Sequence, residues 1–264
     1  MPFCLSAMHI LIWIILFSLL GGVLSVLLAS SFLLFSESVR VRLVPHLISF
    51  AIGALLGAAL LGLLPEAVES AGAGNVYNIF SVVLLGILGF FLLEKMVLWR
   101  HCHTEHCEAH TVDRNHNASG FLILVGDGIH NFVDGVLIAG AFMTDIHLGV
   151  VTSLAVAAHE IPQELGDFAI LLHSGFSRKK ALFFNLLSSL TTVIGGVLAY
   201  FSLMDLQNLL PYVLSIAAAS FLYVAVADLI PGLHKHVEVS ATALQVTLIS
   251  AGLLVIYLSQ AALH

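Results

Sequence analysis

Two short polar strings interrupt otherwise apolar stretches of this 264-residue chain. GDGIHNFVDG carries Asp127, His130, Asn131 and Asp134, and HEIPQELGD carries His159, Glu160, Gln163, Glu164 and Asp167. A charged side chain at the centre of a bilayer costs roughly 2.5–3.5 kcal/mol on insertion scales, so this density of polar groups implies an aqueous path or a bound cation. On a helix, Asp127, His130, Asn131 and Asp134 fall at i, i+3, i+4 and i+7, which is one continuous stripe. Val125, Ile129, Phe132, Val133 and Val136 take the opposite face, suited to lipid or neighbouring helices. His159, Gln163 and Asp167 repeat the device at i, i+4 and i+8, with Glu160 and Glu164 on the adjacent column. The two stripes are expected to face each other.

Imidazole nitrogen and carboxylate oxygen suit zinc and its first-row neighbours, and a site without thiolates holds metal less permanently, as a carrier requires. The spacing predicts two adjacent metal positions, one near His130, Asp134, His159 and Gln163, the other near Asn131, Glu160 and a shared ligand. Glu164 is expected either to ligate directly or to support a ligand histidine. Asp127 and Asp167 read as lining of the path or as structural polarity, and Asn185 either lines the path or bonds a neighbouring helix. Pro162 deprives the carbonyl of Ala158 of its helical partner, which is tolerated best beside a hydrated path. Pro65, before Glu66, and Pro231, after Asp228, read as helix-end prolines beside an interfacial acid, with loosening of their spans as the alternative. His159 and Glu160 also open the HExxH pattern of zinc hydrolases, but Gln163 stands where the second histidine belongs and Pro162 lies inside the pattern. An intramembrane zinc-dependent hydrolase and a metal sensor are the alternatives; no enzyme activity, catalytic cofactor or nucleic-acid partner is expected.

These strings need membrane helices to position them. Hydrophobic residues make up 59% of the chain and charged ones 9%, with a mean hydropathy of +1.05, values foreign to a soluble surface. Eight spans of membrane length are predicted at roughly 9–34, 45–69, 76–99, 119–143, 147–173, 181–203, 209–233 and 240–262. The first has no basic residue before it and is too long for a signal peptide, so it reads as a retained span. All nine Lys and Arg residues fall in or beside loops 1-2, 3-4, 5-6 and 7-8. By the bias of basic residues toward the cytosol, those loops are cytosolic and both termini are extracytoplasmic. The expected architecture is therefore an all-α polytopic membrane protein, a single transmembrane domain over 1–264, in a plasma or organelle membrane. Its longest connection, at about 100–118, holds HCHTEHCEAH, with His101, Cys102, His103, His106, Cys107 and His110. Clustered His and Cys bind metal on composition, but this spacing matches no closed structural zinc site, so it reads as a cytosolic, exchangeable metal-binding loop.

The paired strings HNFVDG and HEIPQELGDF resemble the ZIP family of metal transporters, most closely the subgroup with HNFxDG in the fourth span and HExPHELGDF in the fifth. GALLGAALLGLLPEA in the second span, SFLYVAVADLIP in the seventh, the span count and the His-rich loop extend the similarity over nearly the whole chain. The resemblance implies import into the cytosol of a divalent metal, usually zinc, with Fe2+, Mn2+ and Cd2+ as other candidates. It also implies a two-metal centre between spans four and five and a homodimer. Carried over by position, His130, Asn131, Asp134, His159 and Glu160 match the family ligands. Gln163 departs from the usual His, and Ala58 and Gly62 replace an Asp and a His common in the subgroup; these departures bear on metal preference.

Overall fold

Hydrocarbon offers a backbone no hydrogen-bond partner, so apolar runs of membrane length fold as helices. The computed structural model describes residues 2–32, 34–102, 116–234 and 238–261, and every regular element among them is helical. Eight rods result: α1 (His9–Phe32), α2 (Ser38–Ala71), α3 (Ala73–Met96), α4 (His116–Thr144), α5 (Ile146–His173), α6 (Arg178–Leu203), α7 (Gln207–Leu233) and α8 (Val239–Ala261). Seven are long and apolar enough to cross a membrane. The 28-residue α5 is equally long, but its polar string dilutes its hydropathy; it lies instead among the other rods, with His159, Glu160 and Glu164 buried.

The reversals follow from local chemistry. Asp145 alone separates α4 from α5, and its carboxylate accepts from the backbone N–H groups of His147 and Leu148 at 2.8 and 3.0 Å, a helix N-cap. At the other end of α5, Gly175 adopts φ +88°. There the N–H of Phe176 donates to Leu171 O and that of Gly175 to Leu172 O, the paired bonds of a Schellman stop.

Glycines let particular rods touch through their main chains. A Cβ on Gly135 of α4 would collide with the Thr192 carbonyl of α6, and one on Gly195 with the Phe132 carbonyl. The same device joins α2 to α8 through Gly53 and Gly252. Helices α1, α4, α5 and α6 pack together, as do α2 with α8 and α3 with α7, and α5 also runs along α2. Val125 and Ile129 are 44% and 50% exposed, on the side of α4 that the sequence assigns to lipid or a neighbouring helix.

Three rods contain wider turns that the sequence does not announce. Leu20–Leu24, Ala58–Leu63 and Val224–Leu229 are π-helical. In the latter two the N–H of the next residue, Leu64 or Ile230, reaches back five residues to Ala59 O or Ala225 O. Pro65 and Pro231 follow directly, so a π turn precedes each proline, which matches the alternative of loosened spans. Ala58 and Gly62 both lie in the α2 turn, and the place of a Gly62 side chain is taken by the Gln260 amide of α8. The turns between α2 and α3, α4 and α5, and α6 and α7 meet at one end of the bundle. They surround a cavity of about 460 Å³ lined by residues including Ser70, Asn75, Thr144, Gln207 and Asn208. None of these three turns carries Lys or Arg.

Candidate metal centre

Helices α4 and α5 bring His130, Asp134, His159 and Glu160 together, the last three buried. Nε2 of His130 lies 3.2 Å from Nε2 of His159 and 3.4 Å from Glu160 Oε1. Nε2 of His159 lies 3.3 Å from Asp134 Oδ2. The His130–Asp134 and His159–Glu160 pairs are each 3.8 Å apart. All four atoms lie within 4.8 Å of one another.

The tautomer of one ring follows from its other bond. His159 Nδ1 is 3.1 Å from the Ala155 carbonyl; a carbonyl only accepts, so Nδ1 carries the proton and a neutral His159 presents a lone pair at Nε2. Both carboxylate oxygens of Asp134 and of Glu160 are buried without a hydrogen-bond donor. Lone pairs of His159 and of two carboxylates therefore converge beside the Nε2 of His130, an arrangement that is costly without positive charge between them. Ligand distances of about 2.0–2.2 Å to zinc place neighbouring donors of a tetrahedral site about 3.3–3.6 Å apart. Five of the six separations here are 3.2–3.8 Å.

Among the carboxylates expected as ligands, Glu164 does not join these four. Asn131 is fully buried, but its Nδ2 donates to Asp127 Oδ1 at 2.9 Å and its Oδ1 accepts from Thr192 Oγ1 at 2.7 Å. Asp127 Oδ2 in turn accepts from Ser188 Oγ at 2.5 Å. Asn131 and Asp127 thus tie α4 to α6, and Asn131 Oδ1, with one hydrogen bond, keeps a second lone pair. Glu160, grouped with Asn131 on the spacing, joins the two histidines and Asp134 instead, because the cluster sits in the cleft where adjacent positions of α5 both reach α4. Gln163 is partly exposed, and Asp167 lies further along α5, also partly exposed. Glu164 is fully buried with both carboxylate oxygens unpartnered, and Asn185 is fully buried with both amide atoms unpartnered.

Sequence reasoning passed over the α6 hydroxyls. Ser188 and Thr192 sit at i and i+4, the spacing of one face, a signal available in SSLTT but ordinarily spent on a helix's own carbonyls. It also passed over Tyr223, whose hydroxyl donates to Glu94 Oε2 and links α7 to α3. His103, His106, Cys107 and His110 lie outside the described residues; His101 and Cys102 end the helix Val76–Cys102, with their side chains outside the description.

Comparison with known proteins decides the family. The family model described as ZIP Zinc transporter matches residues 99–260, which include both polar strings. The chain belongs to the ZIP zinc transporter family. It is 34% identical over 225 residues to "Zinc transporter ZIP13" of Pongo abelii, covering 81% of this chain and 66% of that protein. Against the Mus musculus protein of the same name it is 32% identical over 248 residues, covering 81% and 69%. "Zinc transporter ZIP10" of Homo sapiens is 37% identical over 150 residues, 52% of this chain and 18% of the relative. The ZIP chain described here thus spans about two thirds of the first relatives' length and less than a fifth of the ZIP10 protein.

Proposed function

We propose that this ZIP protein carries divalent metal, zinc foremost, across a membrane into the cytosol through the cluster of His130, Asp134, His159 and Glu160. The observation that carries the reading is the near-tetrahedral spacing of two imidazole nitrogens and two carboxylate oxygens between two helices, with no hydrogen-bond partner for the carboxylates. The names of its relatives support zinc as the cargo.

Zinc arriving from the extracytoplasmic side exchanges its water for His130 and Asp134 on α4 and His159 and Glu160 on α5. The Nδ1 proton, donated in a hydrogen bond to the Ala155 carbonyl, leaves His159 Nε2 free to offer its lone pair to the metal. Glu160 serves as a ligand here, which removes it from the general-base role it has in a hydrolase and favours transport over that alternative. Eight spans with both termini extracytoplasmic put the four basic loops, and hence the exit, on the cytosolic side. The His/Cys loop between α3 and α4 then receives released metal. Gln163 offers a carboxamide oxygen where an imidazole would bind zinc more strongly, which widens the range toward manganese and iron.

Uptake into proteoliposomes containing the purified chain tests this, with zinc, manganese, iron and cadmium compared. His130→Ala and His159→Ala should each reduce zinc flux to that of empty vesicles, and Gln163→His should raise the preference for zinc over manganese. Zinc flux indifferent to both histidine substitutions would sink the proposal.

A further inference from the structure

The outward side of α4 and α6 takes no part in metal binding. Glycine contacts hold the two helices together at Gly135 and Gly195, and nearer the α5–α6 turn a groove of about 480 Å³ opens between them. Phe121, Val125, Gly128 and Phe132 line it from α4, at steps of three and four residues that make one face. Phe184 and Leu187 line it from α6. Phe121, Val125 and Leu187 are all exposed, so the groove opens outward from the bundle. Gly128 leaves its floor clear, because a Cβ there would only just touch Ser188 and Thr191. The hydroxyls in that floor are already bonded, Thr191 Oγ1 to the Gly128 carbonyl at 2.7 Å and Ser188 Oγ to Asp127 at 2.5 Å.

A groove on the outside of a membrane bundle loses its packing contacts unless an apolar chain enters it. From Phe121 to Phe132 it runs about 16 Å by the rise of a helix. That is about half of the ~30 Å hydrocarbon core, the depth of one leaflet. Charge sets this groove apart from ordinary lipid contact. Lys180 stands four residues before Phe184 and seven before Leu187, on the same face of α6. With Arg178 and Lys179 it makes a run of three exposed bases at the end of the groove. No Asp or Glu occurs between Asp167 and Asp205, and among the described residues none of the three bases is in an ion pair. The turn that carries them is fixed beside the groove, since the Phe176 ring meets Phe184 edge-on at 5.9 Å and Ser177 caps α6.

We propose that this groove binds an anionic phospholipid, with one acyl chain between α4 and α6 and the phosphate on Arg178, Lys179 and Lys180. Long basic side chains lay their stems along apolar surface and carry their charge to the level of the headgroups. A zwitterionic lipid brings its own cation to the same bases, so net negative charge is selected. In the proposed orientation the α5–α6 turn borders the cytosolic leaflet, which is the leaflet rich in anionic lipid. The bound chain covers the Thr191–Gly128 and Ser188–Asp127 bonds. It thereby braces α4, the helix of His130 and Asp134, against α6. The lipid site does not depend on which metal the protein carries.

Native mass spectrometry of the delipidated full chain, titrated with dioleoyl phosphatidylglycerol, tests this. Dioleoyl phosphatidylcholine keeps the acyl chains without the net charge, and glycerol phosphate keeps the charge without the chains. The expected result is about one phosphatidylglycerol per chain, held about tenfold more tightly than phosphatidylcholine, and no retention of glycerol phosphate. Arg178→Gln, Lys179→Gln and Lys180→Gln together should bring the two lipids to equal affinity. Val125→Trp, which fills the groove from its exposed edge, should weaken both lipids about tenfold. Both variants lie away from the four-residue cluster and should bind zinc as the native chain does, which reports that they fold. Equal affinity of the native chain for the two lipids would overturn the site, as would a preference that survives the triple substitution or lipid retention unmoved by Val125→Trp. Glycerol phosphate held as tightly as the lipid would overturn the role of the groove. A dimer that retains no lipid would assign the groove to a second copy of the chain and overturn the proposal.

Discussion

Asn131 and Asp134 share one stripe of α4 and differ in what they meet. Asp134 turns toward α5 and the two imidazoles, while Asn131 turns toward α6 and is held between Thr192 and Asp127. The stripe itself was legible from spacing, and so was its pairing with the stripe on α5. Which members point to which neighbour was not, because a helical stripe is broad enough to touch two helices and the sequence does not place them. The divided roles give separable outcomes. Thr192→Val removes the donor to Asn131 Oδ1 and should lower stability by about 0.6 kcal/mol, the average for interhelical hydrogen bonds in a membrane protein, and by no more than about 1.7 kcal/mol. Asn131→Ala should cost more, since it strands Asp127 and Thr192 together. Thermal unfolding in detergent checks both, and equal melting temperatures for the two variants would contradict the bridge. Neither effect should depend on zinc, whereas added zinc should raise the melting temperature of the native chain and not that of His159→Ala.

Elements carry a different kind of information. The rods were predictable from apolar length, and their ends differ from expectation by a few residues, with α2 beginning at Ser38 instead of near 45. The glycine contacts and π turns were not legible. A glycine in an apolar run looks the same whether it faces a backbone, as Gly135 faces Thr192, or open space, as at Gly166. Gly135→Leu should therefore force α4 and α6 apart and destabilise the protein by about 1–3 kcal/mol, as overpacking does. Gly166→Ala, with no atom near its Cβ, should be neutral or slightly stabilising through helix propensity. Size-exclusion profiles and melting temperatures of the pair provide the check. The wider turn at Ala58–Leu63 explains how α2 accommodates both Pro65 and the Gln260 amide packed over Gly62. A histidine restored at that position meets Gln260 first, so Gly62→His is expected to need Gln260→Ala alongside it for normal stability.

At the scale of the molecule, the three turns around the cavity of Asn75, Thr144 and Asn208 lie at one end of the bundle. Single cysteines at Asn75, Asp145 and Asn208 should react with an impermeant thiol reagent from the same side, and one at Ser177 from the opposite side. A mixed pattern would break the eight-span arrangement. Because imidazole and carboxylate bind metal only when deprotonated, zinc affinity should fall on acidification and recover on return to neutrality; binding isotherms at a series of pH values measure it. One further consequence concerns biogenesis. α5 is the helix whose hydropathy falls short of the others, yet it sits among them and bears half of the cluster. A nascent segment of that polarity partitions poorly into lipid alone, so its entry from the translocon has to be carried by a neighbour. Asp145 leaves a single residue between α4 and α5, which presents the two as one hairpin. Placed alone in an insertion reporter, the α5 segment should remain outside the bilayer, and fused behind α4 it should enter.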